Sequence, residues 1–384
     1  MNTQHHQRAK NTILGALVAD AATMGFHWLY SQSRIAEVAP SQPEFRAPTA
    51  SDYSGNVGYF AHGHKHPGEF SHYGEQARVM LDSMVANGAS YDRHHYQDTF
   101  RDYFGYGGAY NGYIDRPTRE TLDTIYRTEA DALAQANDIP FDNVHNNKQG
   151  LLIKVLAAAK RFQGDELAAQ GAILAAAQPN VQQCQHYVTA LIEALSGSMD
   201  YPGAADEQLP AISKLPALVA RYAADDNLQQ LCESAIKVTN NAPRALDYGR
   251  VVTALLAQLV RGDSLNAAID NAVALASPAT GEHLAQAMNF DGDLQAAGRK
   301  FALHCDVGSG MASVFANLKS AQSYPDAVRA NIYVAGDNCG RAVILGAACG
   351  AAFGIGGERG IPQNWIDRLK DHKQLREHID LLLA

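Results

Sequence analysis

The chain has 384 residues, which is enough to bury a large core in one domain or in two smaller ones. Its formal net charge is -9 and its basic residues form no run, so nucleic acid is excluded as an expected partner. Residues 1–10 are polar, no apolar stretch reaches the roughly 18 residues of a membrane span, and the five cysteines form no CxxC pair. We therefore expect no membrane association and a cytoplasmic protein with reduced thiols.

A helical apolar stripe opens the chain over residues 11–29. Asp20 interrupts this stripe, and a buried aspartate needs a hydrogen-bonding partner or a metal ion. The helix is predicted to end near His27, which is either a structural histidine or part of a site with Asp20. The stripe is formed by Ile13, Leu14, Leu17, Val18 and Ala21.

Residues 31–71 form a long segment with weak periodicity, rich in Pro, Gly, His and Tyr. Long connections of this kind are often functional. His62, His64 and His66 alternate within it, but no Cys or carboxylate stands at ligand spacing. The simpler interpretation is therefore exposed loop histidines rather than a metal site.

Two polar clusters each precede a predicted helix. The first covers residues 70–76, before an apolar stripe over 77–84, and the second covers residues 334–341. The helix after the second cluster, residues 342–353, carries no charge and is predicted to be buried. Gly346, Gly350 and Gly354 fall on one face at spacing four, so another backbone can come close there. Asp337 is either an N-cap of this helix or part of a site with Cys339, since a thiol at a helix start ionises more easily.

A Tyr- and Gly-rich stretch, residues 103–115, cannot form an ordinary helix. It is either a packed surface loop or a loop whose Tyr110 and Tyr113 contact a base or sugar, with Asp115 supplying a polar contact. From residue 151 onward the pattern predicts helix after helix, with few strand signals. The predicted helices are 151–163, 166–177, 181–195, 228–238, 245–260, 284–288 and 294–303.

These segments together resemble the ADP-ribosylglycohydrolase family. The resemblance rests on residues 15–21, 71–74, 239–241, 313–318 and 336–339, and spans about 11–354. His27-Trp28 and residues 71–74 and 336–339 are particularly similar to the branch of J-type crystallins and selenoprotein J. The resemblance implies an all-α orthogonal helical fold in a single domain over residues 1–384, with 355–384 as a C-terminal helical extension.

The resemblance also implies two Mg²⁺ in a cleft. The first metal-binding quartet of the family, Thr-Asp-Asp-Thr, falls on residues 71–74, and the late Asp-Thr-Asp-Thr falls on residues 337–340. Only Asp337 keeps a carboxylate and only Ser71 keeps a hydroxyl, while a further acidic position falls on His27. Mg²⁺ needs oxygen ligands, so we predict that it binds weakly or not as the usual pair. Its oxygen ligands would come mainly from Asp337, Ser71 and Glu75, with Asp20 as a further candidate.

The predicted site joins the two polar helix starts, which are expected to face one cleft. Asp337, Glu75 and Asp20 are the carboxylates that can orient water or stabilise an oxocarbenium-like state, and Cys339 is an alternative nucleophile. Asp337, Cys339 and His72 together are an alternative set for a softer ion such as Zn²⁺. The residues expected to contact substrate are His27, His72, Tyr73, Tyr110, Tyr113, Asp115 and Asn338.

Three functions remain open on these residues. The first is hydrolysis of an ADP-ribosyl or related ribosyl glycosidic bond at a modified site, on a small-molecule or ADP-ribosylated substrate. The second is a metal-free, inactive binding or structural role like that of the crystallin relatives. The third is a hydrolase in which Cys339 or Glu75 is the key group. The sequence predicts neither the leaving group nor the oligomeric state.

Overall fold

A computed structural model of the chain describes residues 3–105, 108–136 and 201–384. The helices predicted over 151–163, 166–177 and 181–195 lie outside these residues. The described residues contain isolated β-bridges but no β-sheet, which confirms the all-α fold class. No described helix is both long enough and apolar enough to cross a membrane.

Seventeen α-helices and two short 3₁₀ turns make up the described part of the chain. The turns are Met24–Phe26 and Ala50–Tyr53. The helices are α1 (Thr3–Thr23), α2 (Gln32–Val38), α3 (His72–Ala86), α4 (Arg93–Phe104), α5 (Arg116–Ala136), α6 (Pro210–Ser213), α7 (Leu215–Tyr222), α8 (Leu228–Ile236), α9 (Pro243–Arg261), α10 (Leu265–Ala274), α11 (Pro278–Met288), α12 (Leu294–Phe301), α13 (Val307–Ser320), α14 (Tyr324–Val334), α15 (Asn338–Phe353), α16 (Gln363–Ile366) and α17 (His372–Leu383).

The predicted helices 228–238, 245–260 and 294–303 correspond to α8, α9 and α12 within two residues at each end. Several other described helices were not predicted, and α11 and α2 show where the periodicity falls short. Helix α11 begins at Pro278, well before the apolar residues that predicted it at 284, because Ser277 caps it and Pro278 occupies its first turn. Helix α2 was not predicted, because only Ile35 of its seven residues is buried. Its start depends on Ser31, whose side chain accepts a hydrogen bond from the Arg34 backbone.

The chain divides into two compact units. Residues 1–96 and 205–384 form the first unit, and residues 97–204 form the second. The described part of the second unit holds the end of α4, the Gly-rich loop and α5. In the first unit, α17 packs against α1 and α3, so the predicted C-terminal extension is part of the packed core of that unit.

The core of the first unit is built around α1 and α15. Every residue of α15 from Asn338 to Ala351 is buried, as expected for a helix that is apolar all round. The two helices form the most extensive pair among the described elements, and α7, α9, α13 and α14 pack around them. A helix start in this position places its first residues in the interior of the unit.

Glycines allow α1 and α15 to approach closely. A Cβ on Gly346 would lie 2.3 Å from the Gly15 carbonyl oxygen, and a Cβ on Gly350 would lie 2.3 Å from the Asn11 carbonyl oxygen. The predicted glycine face is therefore a backbone contact surface at these two positions. Gly354 differs, since it ends the helix with a positive φ of 76°.

Candidate active site

Five buried side chains of the first unit meet at the starts of α3 and α15. His27 follows the Met24–Phe26 turn, His62 lies in the loop before α3, His72 and Tyr73 open α3, and Asp337 caps α15. Each of the five is at most 2% exposed. We call these five residues the histidine–aspartate cluster. The structure therefore brings together the two polar helix starts that were far apart in the sequence.

Backbone hydrogen bonds hold the His27 segment beside the start of α15. The Trp28 amide donates to the Gly336 carbonyl at 2.9 Å, and the Gly336 amide donates to the Leu29 carbonyl at 2.8 Å. Gly336 has a φ of 68° and lies so close to Leu303 that a Cβ would meet its carbonyl oxygen at 2.3 Å. A side chain at this position would displace the turn that carries Asp337.

Three hydrogen bonds converge on the Asp337 carboxylate. Its Oδ1 accepts from the Gly340 amide at 3.2 Å and pairs with His27 Nε2 at 3.0 Å, while its Oδ2 accepts from the Tyr73 hydroxyl at 2.6 Å. Burial alone raises the pKa of Asp337, but the bonds from His27 and Tyr73 outweigh it and lower the pKa to about 2. Asp337 is therefore a buried anion at neutral pH.

A second hydrogen bond extends this arrangement through His27 to His62. His27 Nδ1 lies 2.7 Å from His62 Nε2. We assign the proton on His27 to Nε2, facing the anion, so that Nδ1 accepts from His62 Nε2–H. His62 then keeps a lone pair on Nδ1, which is buried and has no hydrogen-bond partner among the described residues. The result is a linear chain from Asp337 through His27 to His62.

His72 completes the group of rings. Its ring centroid lies 5.6 Å from that of His27, 6.1 Å from that of His62 and 4.0 Å from that of Tyr73. Burial lowers the pKa of both His72 and His62 well below the usual value, and the neighbouring His27 adds to this effect. Both imidazoles are therefore neutral at physiological pH.

Asp20 forms a separate pair with Ser71, one residue before the cluster on α3. Its Oδ2 accepts from the Ser71 amide at 2.8 Å and its Oδ1 accepts from the Ser71 hydroxyl at 2.5 Å. Burial raises the pKa of Asp20 to about 7, with the Ser71 hydrogen bonds acting in the opposite direction. Gly74 is required here, because a Cβ would lie 2.1 Å from Asp20 Oδ2.

The family model for ADP-ribosylglycohydrolase matches residues 1–217 and 210–384, which together span the whole chain. The chain belongs to the ADP-ribosylglycohydrolase family. This membership supports a glycoside-hydrolase-like function, and the family acts on ADP-ribosylated substrates.

Individual relatives agree with this family assignment. Crystallin J1A of Tripedalia cystophora is 25% identical over 383 residues, which cover 99% of this chain and 97% of the relative. Crystallin J1B of the same organism is 37% identical over 110 residues, which cover 28% of this chain and 31% of the relative. A solved structure named ADP-ribosylglycohydrolase-related protein complex has a TM-score of 0.61 at 15% identity, covering 99% of this chain and 98% of that one. That likeness supports the ADP-ribosylglycohydrolase fold.

The Mg²⁺ pair that the family implies does not fit the donors of this chain. Both oxygens of Asp337 accept hydrogen bonds, and both oxygens of Asp20 are held by Ser71. The other donors nearest Asp337 are the His27 imidazole and the Tyr73 phenol. Mg²⁺ takes oxygen ligands in a near-octahedral arrangement and needs nearby negative charge, so a nitrogen-rich cluster with one anion is a poor site for two Mg²⁺.

Glu75, predicted as a catalytic carboxylate, is engaged in an ion pair. Lys65 Nζ donates to its Oε1 at 3.0 Å, and Arg78 Nη1 lies 3.8 Å from its Oε2. The side chains of Lys65 and Glu75 are each only 8% exposed. This pair anchors the His62 loop to α3, so Glu75 helps to position that loop.

The structure does not support the expectation that the Cys339 thiol ionises easily. Its Sγ is fully buried, 3.7 Å from Thr23 Oγ1 and 3.9 Å from the Asp20 carbonyl oxygen. Burial raises the pKa of the Cys339 thiol well above its usual value, and the charge of Asp20 raises it further. The apolar interior and the neighbouring acid raise the pKa of this thiol by more than the helix start lowers it.

Asn338, the first residue of α15, lies directly after Asp337 and is fully buried. Its Nδ2 donates to the Phe26 carbonyl at 3.3 Å, and its backbone carbonyl accepts from Asn331 at 2.8 Å. Its Oδ1 is buried and has no hydrogen-bond partner among the described residues. A contact with substrate through this oxygen stays a prediction.

The predicted substrate contacts of the Gly-rich loop belong to the second unit. The Tyr110 hydroxyl donates to the Tyr113 carbonyl at 2.8 Å, and the Tyr110 ring packs 4.9 Å from that of Phe104. Asp115 Oδ1 accepts from the Thr118 amide at 2.7 Å and so caps α5. These are packing and capping contacts within the unit, and roles in substrate binding remain predictions.

His62 is the cluster member that sequence reasoning missed. Three alternating histidines in a loop gave no way to decide which of them turns inward. In the structure His64 and His66 are exposed, whereas His62 is buried. The one signal was the alternation itself, but residues two apart in an extended segment face the same side. His62 and His64 can therefore point in different directions only if the backbone between them turns, and the alternation does not reveal such a turn.

Proposed function

We propose that the protein hydrolyses a glycosidic bond of an ADP-ribosyl or related ribosyl group, using the chain of Asp337, His27 and His62. The observation that carries the proposal is a buried anion hydrogen-bonded through one histidine to a second histidine with an unpartnered lone pair. Family membership supplies the reaction class. The linked residues Asp337, His27 and His62 supply a base that does not need the Mg²⁺ pair.

The chemistry follows from the positions of the protons. Cleavage at an anomeric carbon passes through an oxocarbenium-like state that water attacks. In our proposal His62 Nδ1 takes a proton from this water, and the electron pair of the broken C–O or C–N bond leaves with the acceptor group. The proton is then returned to the leaving group, so that the histidine is regenerated.

Asp337 and His27 act on His62 rather than on the substrate. As His62 gains a proton, its Nε2–H donates more strongly to His27 Nδ1, and the His27 Nε2–H donates to the Asp337 anion. Asp337 stays ionised and stabilises the positive charge through two hydrogen bonds, as a buried carboxylate does behind a catalytic histidine. Tyr73 keeps the carboxylate in position through its bond at 2.6 Å.

A non-catalytic role is the second candidate, and one observation favours it. Each member of the cluster is at most 2% exposed, so substrate reaches the rings only after covering side chains move. Crystallin J1A matches almost the whole chain. In this alternative the rings form a buried polar core that orients the two helix starts.

The two candidates are separated by an assay for released ADP-ribose. Full-length protein, stripped of metal with a chelator, is incubated with ADP-ribosyl-arginine and with an ADP-ribosylated serine peptide. We expect the wild type to release ADP-ribose and Asp337→Asn to be about 100-fold slower or worse, because Asn keeps the helix cap but removes the charge. Release from neither conjugate by the wild type would assign the cluster a structural role.

A matched substitution controls for the change of cap. Asp293 caps α12 with the same type of hydrogen bond, from the Ala296 amide at 2.7 Å, and lies on the surface. Asp293→Asn should leave release of ADP-ribose unchanged. Equal losses in Asp293→Asn and Asp337→Asn would show that the assay reports folding rather than chemistry.

A further inference from the structure

We propose that His27, His62 and His72 form a binding site for a single divalent transition-metal ion of the Zn²⁺ class. One nitrogen from each ring lies within 4.8 Å of the others, and all three residues are buried. No other group of three His, Cys, Asp or Glu residues among the described residues meets this test. Two of the three ligands, His27 and His62, were not assigned to a metal from the sequence.

The hydrogen bond from His27 to Asp337 prepares His27 as a metal ligand. Because Nε2 faces the carboxylate at 3.0 Å, the lone pair of the ring is on Nδ1, toward His62. A metal-bound histidine usually donates its other N–H to a carboxylate, which fixes the tautomer and strengthens the ligand. Asp337 occupies this position with respect to His27.

His62 brings a lone pair that no protein group uses. Its Nδ1 is buried without a hydrogen-bond partner among the described residues, and its ring is nearly parallel to that of His27, at 13°. The 2.7 Å between His27 Nδ1 and His62 Nε2 is shorter than the roughly 3.3 Å between two nitrogens that share a tetrahedral Zn²⁺. Binding therefore requires a small separation or a turn of the His62 ring.

Three imidazoles select the class of ion. Zn²⁺ and Co²⁺ accept nitrogen ligands in tetrahedral geometry, and three histidines leave a fourth position for water. The Asp337 anion next to His27 offsets part of the charge of a dication. Mg²⁺ does not compete, since it requires oxygen ligands.

This inference does not rest on the proposed hydrolase activity. The three rings can bind an ion in a protein that turns over no substrate. An ion would occupy the lone pairs on which the proposed base depends, so metal-loaded and metal-free protein are separate samples. Binding is therefore measured directly and apart from any activity.

The test is calorimetric titration of chelator-treated, full-length protein with Zn²⁺, together with the visible absorption of the Co²⁺-loaded protein. Any affinity tag is removed first, because tag histidines bind the same ions. We expect one ion per chain and the absorption of tetrahedral Co²⁺. His62→Gln should abolish this site, and Asp337→Asn, which leaves all three ligands in place, should weaken it about 10- to 100-fold.

Two exposed histidines of the same loop provide the matched control. The double variant His64→Gln/His66→Gln removes surface histidines and should bind Zn²⁺ as the wild type does. The proposal is overturned if the wild type binds no ion, if His62→Gln binds like the wild type, or if the loop control loses the site. The effect of Asp337→Asn keeps the test valid even if His62→Gln does not fold.

Discussion

Asp337 illustrates how one residue can serve folding and chemistry together. As the cap of α15 it satisfies the Gly340 amide, a structural task that any short polar side chain could perform. The bonds from His27 and Tyr73 have no such general purpose, since they hold an anion in the interior. A buried charge is retained at a cost in desolvation, which is why we connect this residue with function.

Tyr73→Phe separates these tasks without disturbing the packing. The variant removes one hydrogen bond to a charged acceptor and should lower the free energy of unfolding by about 1.5–3 kcal/mol. It should also slow release of ADP-ribose, because the carboxylate behind His27 is held less firmly. Thermal melts and the release assay measure the two effects.

Tyr333→Phe is the control for this prediction. The Tyr333 hydroxyl donates to the Ala39 carbonyl at 2.6 Å, outside the cluster. The Tyr333→Phe variant should lose stability but keep the activity of the wild type. A Tyr73→Phe protein as active as Tyr333→Phe would contradict a role for the phenol in the site.

The cysteines offer a prediction that needs no substrate. Cys232, Cys339 and Cys349 are buried, whereas Cys305 is partly exposed. Of these four cysteines that the structure describes, iodoacetamide should therefore alkylate Cys305 in the native protein and leave Cys232, Cys339 and Cys349 protected, as read by peptide mass spectrometry. Rapid alkylation of Cys339 without denaturant would restore the thiol as a candidate nucleophile.

At the scale of single residues, the sequence predicted the residue types of the site better than their contacts. Asp20 could be selected because a polar group in an apolar segment needs a partner, whereas His27, Ser71 and Asp337 were selected mainly because family motifs fall on them. The hydrogen-bond partner of Asp20 is Ser71, a contact that depends on a helix start brought close by the fold. His62 could not be selected, because the path of a loop is not encoded in local periodicity.

At the scale of elements, the contact between α1 and α15 depends on glycine. Gly346→Ala would place a Cβ 2.3 Å from the Gly15 carbonyl oxygen and 2.4 Å from the Ala19 Cβ. Backbone cannot move away as a side chain can, so we expect a loss of about 1–3 kcal/mol or more in the free energy of unfolding. Urea denaturation measures this loss.

Gly281→Ala is the matched control in a helix interior. A Cβ at Gly281 of α11 meets its nearest neighbour at an ordinary 3.6 Å, so this variant should be neutral or slightly stabilising. If both variants had the same stability, the close approach of α1 and α15 would be wrong. The spacing of the glycines predicted this contact, whereas the role of Gly354 as the end of α15 required the structure.

At the scale of the whole molecule, the fold class and family could be predicted because apolar helical periodicity runs through the chain and the polar motifs keep their order. The metal content could not, because it depends on which donors meet. We predict that metal-stripped protein shows no pair of Mg²⁺ sites of micromolar affinity by calorimetry, since one anion among imidazoles cannot offset two dications. Two Mg²⁺ bound at micromolar affinity would contradict the donor analysis.

The most direct test of the account compares His62→Gln with His66→Gln in the release of ADP-ribose by metal-stripped protein. Both substitutions fall in one loop, and only His62 is connected through His27 to Asp337. We predict release by the wild type and by His66→Gln at equal rates, and a loss of about 100-fold or more in His62→Gln. Equal rates for the wild type and His62→Gln, or no release by the wild type, would contradict the account.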